Sequence, residues 1–119
     1  MILLADPDPG SRGDLRNALE QAGHTVTAVA TGLEAAQVLM QTVPALLVID
    51  LDLKWLSGRQ LIEVLRRNPR TCFIPIVALA GGVEDLRGIP LLVRPVPGAQ
   101  LLSLVDHFLP GLRAQHGHV

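Results

Sequence analysis

The sequence lacks the features of secreted, membrane-spanning and cysteine-rich metal proteins. One cysteine in 119 residues, Cys72, excludes an internal disulfide framework and a multi-cysteine zinc site. No apolar run approaches the roughly 20 residues that a membrane span needs. The first residues have neither the basic segment nor the long apolar segment of a signal peptide. We therefore expect a cytoplasmic protein without a membrane partner.

Strong charge and the common nucleotide-binding and catalytic motifs are absent as well. The net charge is −1, and the ten basic residues are dispersed, which argues against a nucleic-acid partner. There is no G-x-x-x-x-G-K-S/T loop, no G-x-G-x-x-G turn, no Ser–His pair at strand ends and no His/Cys metal spacing. The sequence thus opposes a small enzyme or nucleotide-binding protein, and we expect a protein that is not an enzyme.

What is present is a regular alternation of apolar runs and amphipathic stretches. Five runs have the length and composition of strands, at residues 1–6, 24–30, 46–50, 73–80 and 89–95. Helices between them are predicted to begin after Asp8, Thr31 and Ser57, which are good N-cap residues, and after Pro97. Such alternation predicts an α/β fold with helices on both faces of a parallel sheet.

One proline indicates the position of the fifth strand in the sheet. Pro90 cannot donate a backbone hydrogen bond, so the fifth strand is predicted to lie at an edge. This fits a flavodoxin-like doubly wound sheet of five strands in the order 2-1-3-4-5. Ligands bind such sheets beyond the carboxyl ends of the strands. Four carboxylates stand at those ends, namely Asp6, Asp8, Asp50 and Asp52.

Four stretches in this order carry a resemblance to a known family. They read ILLADPDP, PALLVIDLDLKWLSG, IPIVALA and LLVRP, and they extend over residues 2 to about 109. Together they resemble the receiver domain of two-component response regulators. The resemblance implies a receiver domain over residues 1–112, followed by a C-terminal tail over residues 113–119. It also implies a histidine kinase or a downstream regulator as protein partner.

The resemblance implies a phosphoacceptor aspartate on strand 3 and a magnesium ion held by acidic residues and a carbonyl. Asp50 matches the phosphoacceptor, Asp6 matches the first acid of strand 1, and Asp52 stands where the family uses the carbonyl. Four other positions depart from the family pattern: Pro7 replaces the second acid, Ala80 the hydroxyl of strand 4, Leu91 the aromatic switch of strand 5, and Arg94 the lysine.

These departures predict a degenerate pseudo-receiver, a signalling module that acts without phosphorylation. Losing one carboxylate weakens a magnesium site, because this ion gives up its water reluctantly. Arg94 is predicted to form a bidentate ion pair with Asp50 instead. The alternative is an ordinary receiver that a histidine kinase phosphorylates on Asp50. Its magnesium would be held by Asp6 and Asp50 with Asp52 or Asp8, although Asp8 also suits a helix cap.

The segment between strands 4 and 5 is too short for a complete helix. Only thirteen residues separate Ala80 from Arg94, and residues 81–88 must make the return. The helix is therefore predicted to be shortened or absent. This leaves two possibilities for the apolar strand 4–strand 5 face: it joins a second copy as a homodimer or binds a partner, or the loop or helix 3 folds over it.

Two further features allow a structural and a functional reading. Trp55 lies in the loop after strand 3, where it either caps a helix end with an apolar contact, closes the site or contacts a partner. Arg66, Arg67 and Arg70 end the third helix, where they form either a solvated helix end or a small basic patch for an anionic partner.

Overall fold

The structure, a computed structural model, describes residues 1–110. The elements in chain order are β1 Ile2–Ala5, α1 Pro9–Gln21, β2 Val26–Val29, α2 Gly32–Gln41, β3 Leu46–Asp50, α3 Gly58–Arg67, β4 Ile76–Ala80, β5 Leu91–Val93 and α4 Gly98–Phe108. The predicted domain boundary at residue 112 and the tail over residues 113–119 lie outside the described residues.

The five strands form one parallel sheet in the order β2-β1-β3-β4-β5. The flavodoxin-like order 2-1-3-4-5 predicted from the sequence is therefore confirmed. Alternate residues of the central strands pack into two apolar clusters, one under α2 and α3 and the other under α1 and α4. Every residue of β1, β3 and β4 is buried, because helices cover both faces of the sheet.

Side chains at the predicted caps begin the first three helices. The Asp8 carboxylate accepts hydrogen bonds from the backbone N–H groups of Gly10 and Ser11 at the start of α1. Ser57 and Gln60 form a complete capping box at the start of α3. The Asp8 cap places the start of α1 directly after the end of β1, whereas α3 begins after a loop of seven residues that follows Asp50.

Strand β5 is shorter than predicted, although its edge position is confirmed. The run over residues 89–95 pairs as a strand only from Leu91 to Val93. The Pro90 carbonyl accepts a hydrogen bond from Ala78 N at 2.9 Å, but the ring nitrogen has no hydrogen to donate. The last bond of this ladder runs from Arg94 N to the Ala80 carbonyl at 2.9 Å, so the backbone of Arg94 is fixed beside the end of β4.

The described residues contain no helix between β4 and β5, as the short segment predicted. The segment makes bends and a turn instead. Leu86 and Ile89 from this segment pack against the apolar cluster under α3, so the loop covers part of the face. Val83 remains 89% exposed. Self-association through the β4–β5 face stays a prediction, and light scattering at high protein concentration is its test.

An ion pair between Arg59 of α3 and Glu84 holds this loop against the helix. The hydrogen bond from Arg59 holds the pKa of the Glu84 carboxyl below its ordinary value. The same bond raises the pKa of the Arg59 guanidinium. Within residues 1–110, no helix is long and apolar enough to cross a membrane.

Candidate functional site

The carboxyl ends of β1 and β3 bring two buried carboxylates together. Strand β1 pairs with β3 so that Ala5 faces Ile49, and the next residues along the two chains are Asp6 and Asp50. Asp6 is completely buried and Asp50 is 4% exposed. Two such carboxylates repel each other and are costly to bury unless a positive charge or hydrogen-bond donors accompany them.

Arg94 supplies that positive charge from the edge of the sheet. Strand β5 is separated from β3 by β4, a span of about 10 Å at the usual strand spacing. The extended arginine side chain reaches across the end of β4, where Ala80 carries only a methyl group. The Arg94 side chain is 25% exposed, so its guanidinium is largely enclosed.

The guanidinium of Arg94 bonds to both carboxylates. Nη2 donates to Asp6 Oδ1 and to Asp50 Oδ2, each at 2.7 Å, and Nε donates to the same Asp50 oxygen at 3.0 Å. The predicted ion pair with Asp50 is therefore present, but both of its hydrogen bonds go to one carboxylate oxygen, Oδ2, rather than one to each oxygen. Nη2 also bonds to Asp6.

The electrostatic consequence is visible in the arginine itself. Partial burial alone would lower the pKa of the Arg94 guanidinium, because burial disfavours charge. The hydrogen bond to Asp50 and the charges of Asp6 and Asp50 outweigh this effect and raise its pKa. Arg94 is therefore a fixed positive charge between the two carboxylates.

Ser11, in the first turn of α1, completes this network, and sequence reasoning did not include it. Its Oγ donates to Asp6 Oδ2 at 2.6 Å and accepts from Arg94 Nη1 at 2.8 Å. Arg12 adds a bond from Nη1 to the Asp6 carbonyl at 2.9 Å. The signal that could have found Ser11 is its distance of three residues from the cap Asp8, which turns it towards the sheet.

Backbone N–H groups also donate to these carboxylates, so all four carboxylate oxygens accept hydrogen bonds. Asp6 Oδ1 accepts a second bond, from Asp8 N at 3.0 Å, and Asp50 Oδ1 accepts from Asp52 N at 2.7 Å. The side chains of Asp8 and Asp52 are exposed, and that of Asp8 caps α1. Among the described residues, no group of three or more His, Cys, Asp and Glu side chains is placed to hold a metal ion.

The positions that depart from the family pattern border this network. Pro7 is exposed in the turn after β1, and Ala80 is 1% exposed at the end of β4. Leu91 begins β5 and packs, half-buried, against the apolar cluster under α3. None of these three side chains has a hydroxyl, carboxyl or aromatic group.

The loop after Asp50 is held tightly against the site. A Cβ atom on Gly58 would lie 2.2 Å from the Asp50 carbonyl oxygen, so only glycine fits there. Trp55 and Leu56 have φ angles of 61° and 133°, which are strained for residues with side chains. Trp55 is 77% exposed. Of its predicted roles, apolar capping of a helix end is therefore wrong.

Comparisons with known proteins agree with this architecture. A family model described as the response regulator receiver domain matches residues 2–88. The matched range contains Asp6, Pro7, Asp50 and Ala80, whereas Leu91 and Arg94 lie beyond it. The assignment of those two positions therefore rests on the order of the strands.

Several relatives are more than 30% identical to this chain. An uncharacterized 14.6 kDa protein in the sodA1 3' region of Leptolyngbya boryana is 34% identical over 115 residues, which cover 90% of this chain and 88% of that protein. The DNA-binding dual master transcriptional regulator RpaA of Synechocystis is 33% identical over 86 residues. That match covers 71% of this chain but 36% of the regulator, so this chain corresponds to about a third of it.

Solved structures include receiver domains of histidine kinases. The signal receiver domain of a signal transduction histidine kinase from Syntrophus aciditrophicus has a TM-score of 0.82 and 27% identity, and the match covers 92% of this chain and 89% of that one. The receiver domain of the sensor histidine kinase PA1611 from Pseudomonas aeruginosa, solved with a magnesium ion in its active-site cleft, has a TM-score of 0.78 and 23% identity, covering 90% and 94%. This chain belongs to the response regulator receiver domain family.

Proposed function

We propose that this receiver domain is a protein-interaction module of two-component signalling that acts without phosphorylation of Asp50. The observation that carries the proposal is the Arg94 guanidinium, which bonds to both Asp6 and Asp50. A phosphoryl group on Asp50 would add negative charge and require room where Arg94 now lies. The partner is a histidine kinase or a downstream regulator, and the proposal assigns no enzymatic activity to the chain.

The donor set around Asp6 and Asp50 does not suit magnesium. Magnesium prefers oxygen ligands in near-octahedral geometry and usually keeps several of its waters. All four carboxylate oxygens here accept hydrogen bonds from N–H or O–H groups, and Pro7 offers no carboxylate. The ion would have to displace a guanidinium that already neutralises part of the charge. This supports weak or absent magnesium binding.

The residues that would report phosphorylation support the same proposal. The family uses a hydroxyl at the end of strand 4 and an aromatic side chain on strand 5, as the resemblance implies. Ala80 and Leu91 have neither group, and Leu91 packs against the core. A signal at Asp50 would therefore lack the side chains that carry it to the β4–β5 face.

A competing function, the ordinary phosphoacceptor, is favoured by the position of Asp50 itself. The residue ends β3 and lies beside Asp6, the same arrangement that the family uses. The outer side of Arg94 opens into a cleft of about 550 Å³ that also borders Ser11 and Pro95. A phosphodonor that displaced Arg94 into this cleft would restore access to Asp50.

Reaction with a small phosphodonor separates the two functions. The protein is incubated with acetyl phosphate and millimolar magnesium, and aspartyl phosphate is measured by intact mass. We expect no modification of the wild type. A double variant, Pro7→Asp with Arg94→Lys, replaces the missing acid and removes the planar guanidinium, and we expect it to gain magnesium-dependent modification.

The control is Asp50→Asn in both backgrounds, which must abolish any modification at this site. Stoichiometric, magnesium-dependent modification of the wild type that Asp50→Asn removes would overturn the proposal and establish the ordinary phosphoacceptor.

A further inference from the structure

A second cavity, separate from the carboxylates, lies between helices α2 and α3. Its volume is about 350 Å³. Its apolar walls are formed by Leu39 and Met40 of α2 and by Leu61, Val64 and Leu65 of α3. We call this cavity the α2–α3 groove. Met40 is 76% exposed and Val64 is 58% exposed, so two large apolar side chains at its mouth face solvent.

The polar groups that border the groove already have partners. The Thr71 hydroxyl donates to the Leu65 carbonyl at 2.8 Å, and Asn68 Oδ1 accepts from Arg70 N at 2.9 Å. Helical walls also offer no free strand edge with which an extended peptide could pair. An occupant must therefore satisfy its own backbone hydrogen bonds, and an α-helix does so.

The charge around the groove is positive. Arg70 is the charged residue among those that line it, and Arg67 is exposed on α3 three positions after Val64, on the neighbouring part of the helix surface. Residues 35–45, which include the α2 wall, carry no charge. Arg66 donates to two backbone carbonyls beyond α3, at Cys72 and Ile74, each at 2.9 Å. Arg70 makes one longer bond, from Nη1 to the Met40 carbonyl at 3.5 Å, which holds its guanidinium at the mouth of the groove. Arg67 and Arg70 are both exposed, so a partner at the groove would meet their charges.

The volume limits how much of a partner can enter. A dry cavity of about 150 Å³ accommodates one benzene ring, so this groove holds about two side chains of that size. On a helix, two such side chains lie on one face when they are three or four residues apart. Acidic residues beside them would face Arg67 and Arg70.

We propose that the α2–α3 groove binds an amphipathic α-helix of a partner protein, with two large apolar side chains one turn apart and an acidic flank. This proposal specifies the chemistry of the partner and rests on the proposed function only in that the chain acts as an interaction module. The groove lies on the helical layer and does not include Asp50 or Arg94.

The test uses a fluorescent helical peptide of about 18 residues, long enough to hold helical structure. It carries two leucines four residues apart, three glutamates on the flank beside them, and alanine and glutamine elsewhere, and its counterpart has lysine at every glutamate. Fluorescence anisotropy with the full chain at low salt measures both. We expect the acidic peptide to bind at least about tenfold more tightly than the basic one, a difference that shrinks as salt screens the charges.

Matched variants locate the binding. Val64→Asp should weaken the acidic peptide at least about tenfold, whereas Val83→Asp, the same change at an exposed valine outside the groove, should leave it unchanged. The double variant Arg67→Glu with Arg70→Glu should reverse the preference to the basic peptide, and Arg87→Glu should not. Thermal melting of each variant shows that it remains folded.

Three outcomes would overturn the proposal. The acidic peptide does not bind, or Val64→Asp and Val83→Asp weaken it equally. Alternatively, vesicles of phosphatidylserine and phosphatidylcholine bind the chain through Arg67 and Arg70 while the peptide does not, which would assign the surface to a membrane. None of these results bears on the phosphodonor test at Asp50, so the two proposals fail separately.

Discussion

Removing the Arg94 side chain should destabilise the fold, because Arg94→Ala leaves Asp6 and Asp50 buried without their cation. Four hydrogen bonds from the guanidinium are lost at once. Breaking a buried ion pair by removing one partner costs about 3–5 kcal/mol. The Arg94 side chain is 25% exposed, which favours the lower end, about 3 kcal/mol. For a domain of this size, that loss corresponds to a fall in Tm of roughly 12 °C.

Urea and thermal denaturation followed by circular dichroism measure this loss. The matched control is Arg16→Ala, which removes an arginine from an ion pair with Glu20 on the surface of α1. Both partners of that pair are nearly half exposed, at 49% and 43%, and such pairs contribute about 1 kcal/mol or less. The difference between the unfolding free energies of the two variants measures the cost of leaving Asp6 and Asp50 buried without a cation.

Magnesium adds a second measurement to the same pair of proteins. In Arg94→Ala the two carboxylates become available to a cation, and a ligand that binds the folded state at ten times its Kd stabilises it by about 1.4 kcal/mol. We expect the Tm of this variant to rise by roughly 5 °C with magnesium, and that of the wild type to stay constant. The reasoning is refuted if Arg94→Ala is as stable as Arg16→Ala, or if magnesium stabilises the wild type equally.

Further substitutions test the surroundings of the site and the loop between β4 and β5. Ser11→Ala should cost about 1–3 kcal/mol in urea denaturation, because it leaves two charged groups short of a partner, and a cost near zero would remove Ser11 from the network. Gly58→Ala should destabilise by about 1–3 kcal/mol, because its Cβ would lie 2.2 Å from a backbone carbonyl oxygen at the end of β3. Gly13→Ala in α1, whose added Cβ would have no heavy atom within 4 Å, should instead stabilise the protein by about 1 kcal/mol. The reasoning is contradicted if the unfolding free energies of the two alanine variants change in the same direction. The pKa of the Glu84 carboxyl is lowered, so its ion pair with Arg59 contributes to stability above the ordinary glutamate pKa and is lost as pH falls below about 4. Hydrogen exchange in residues 81–90 should therefore become faster below that pH. Glu84→Gln should abolish this change.

The strand order 2-1-3-4-5 was predicted correctly, because local patterns restrict it to a common doubly wound arrangement. Continuous apolar runs indicate strands buried on both faces, and Pro90 indicates that the fifth strand lies at an edge. The ends of β4 and β5 were less predictable. Phe73 looked like part of β4, yet it is 79% exposed in a turn, and pairing begins at the Pro75 carbonyl. Hydrophobicity alone does not distinguish a strand residue from an exposed turn residue.

The candidate site was predictable in its members but only partly in its geometry. Parallel strands end at one edge of the sheet, so Asp6 and Asp50 had to lie close together. The contact between Arg94 and Asp50 was predicted from the family resemblance, which places Arg94 at the lysine position, but the sharing of one guanidinium by both carboxylates depends on atomic distances. Ser11 was missed, because its spacing from the Asp8 cap indicates the helix face on which it lies but not its bonds to Asp6 and Arg94. The Arg59–Glu84 pair joins residues 25 positions apart, a contact that no local pattern encodes.

The exchange of a metal ion for an arginine changes what the site can respond to, if the proposed function holds. A magnesium ion equilibrates with solution, so its occupancy varies with the metal and with the phosphoryl group that shares it. The Arg94 charge is covalently attached, and its pKa is raised, so the positive charge between the two carboxylates is fixed. A site with a constant charge and a closed hydrogen-bond network has no second state to select. Regulation then depends on which partner is present and on how strongly the surface charges attract it. Binding at the α2–α3 groove should therefore weaken with added salt and with substitution of Arg67 and Arg70, and phosphodonors should leave it unchanged.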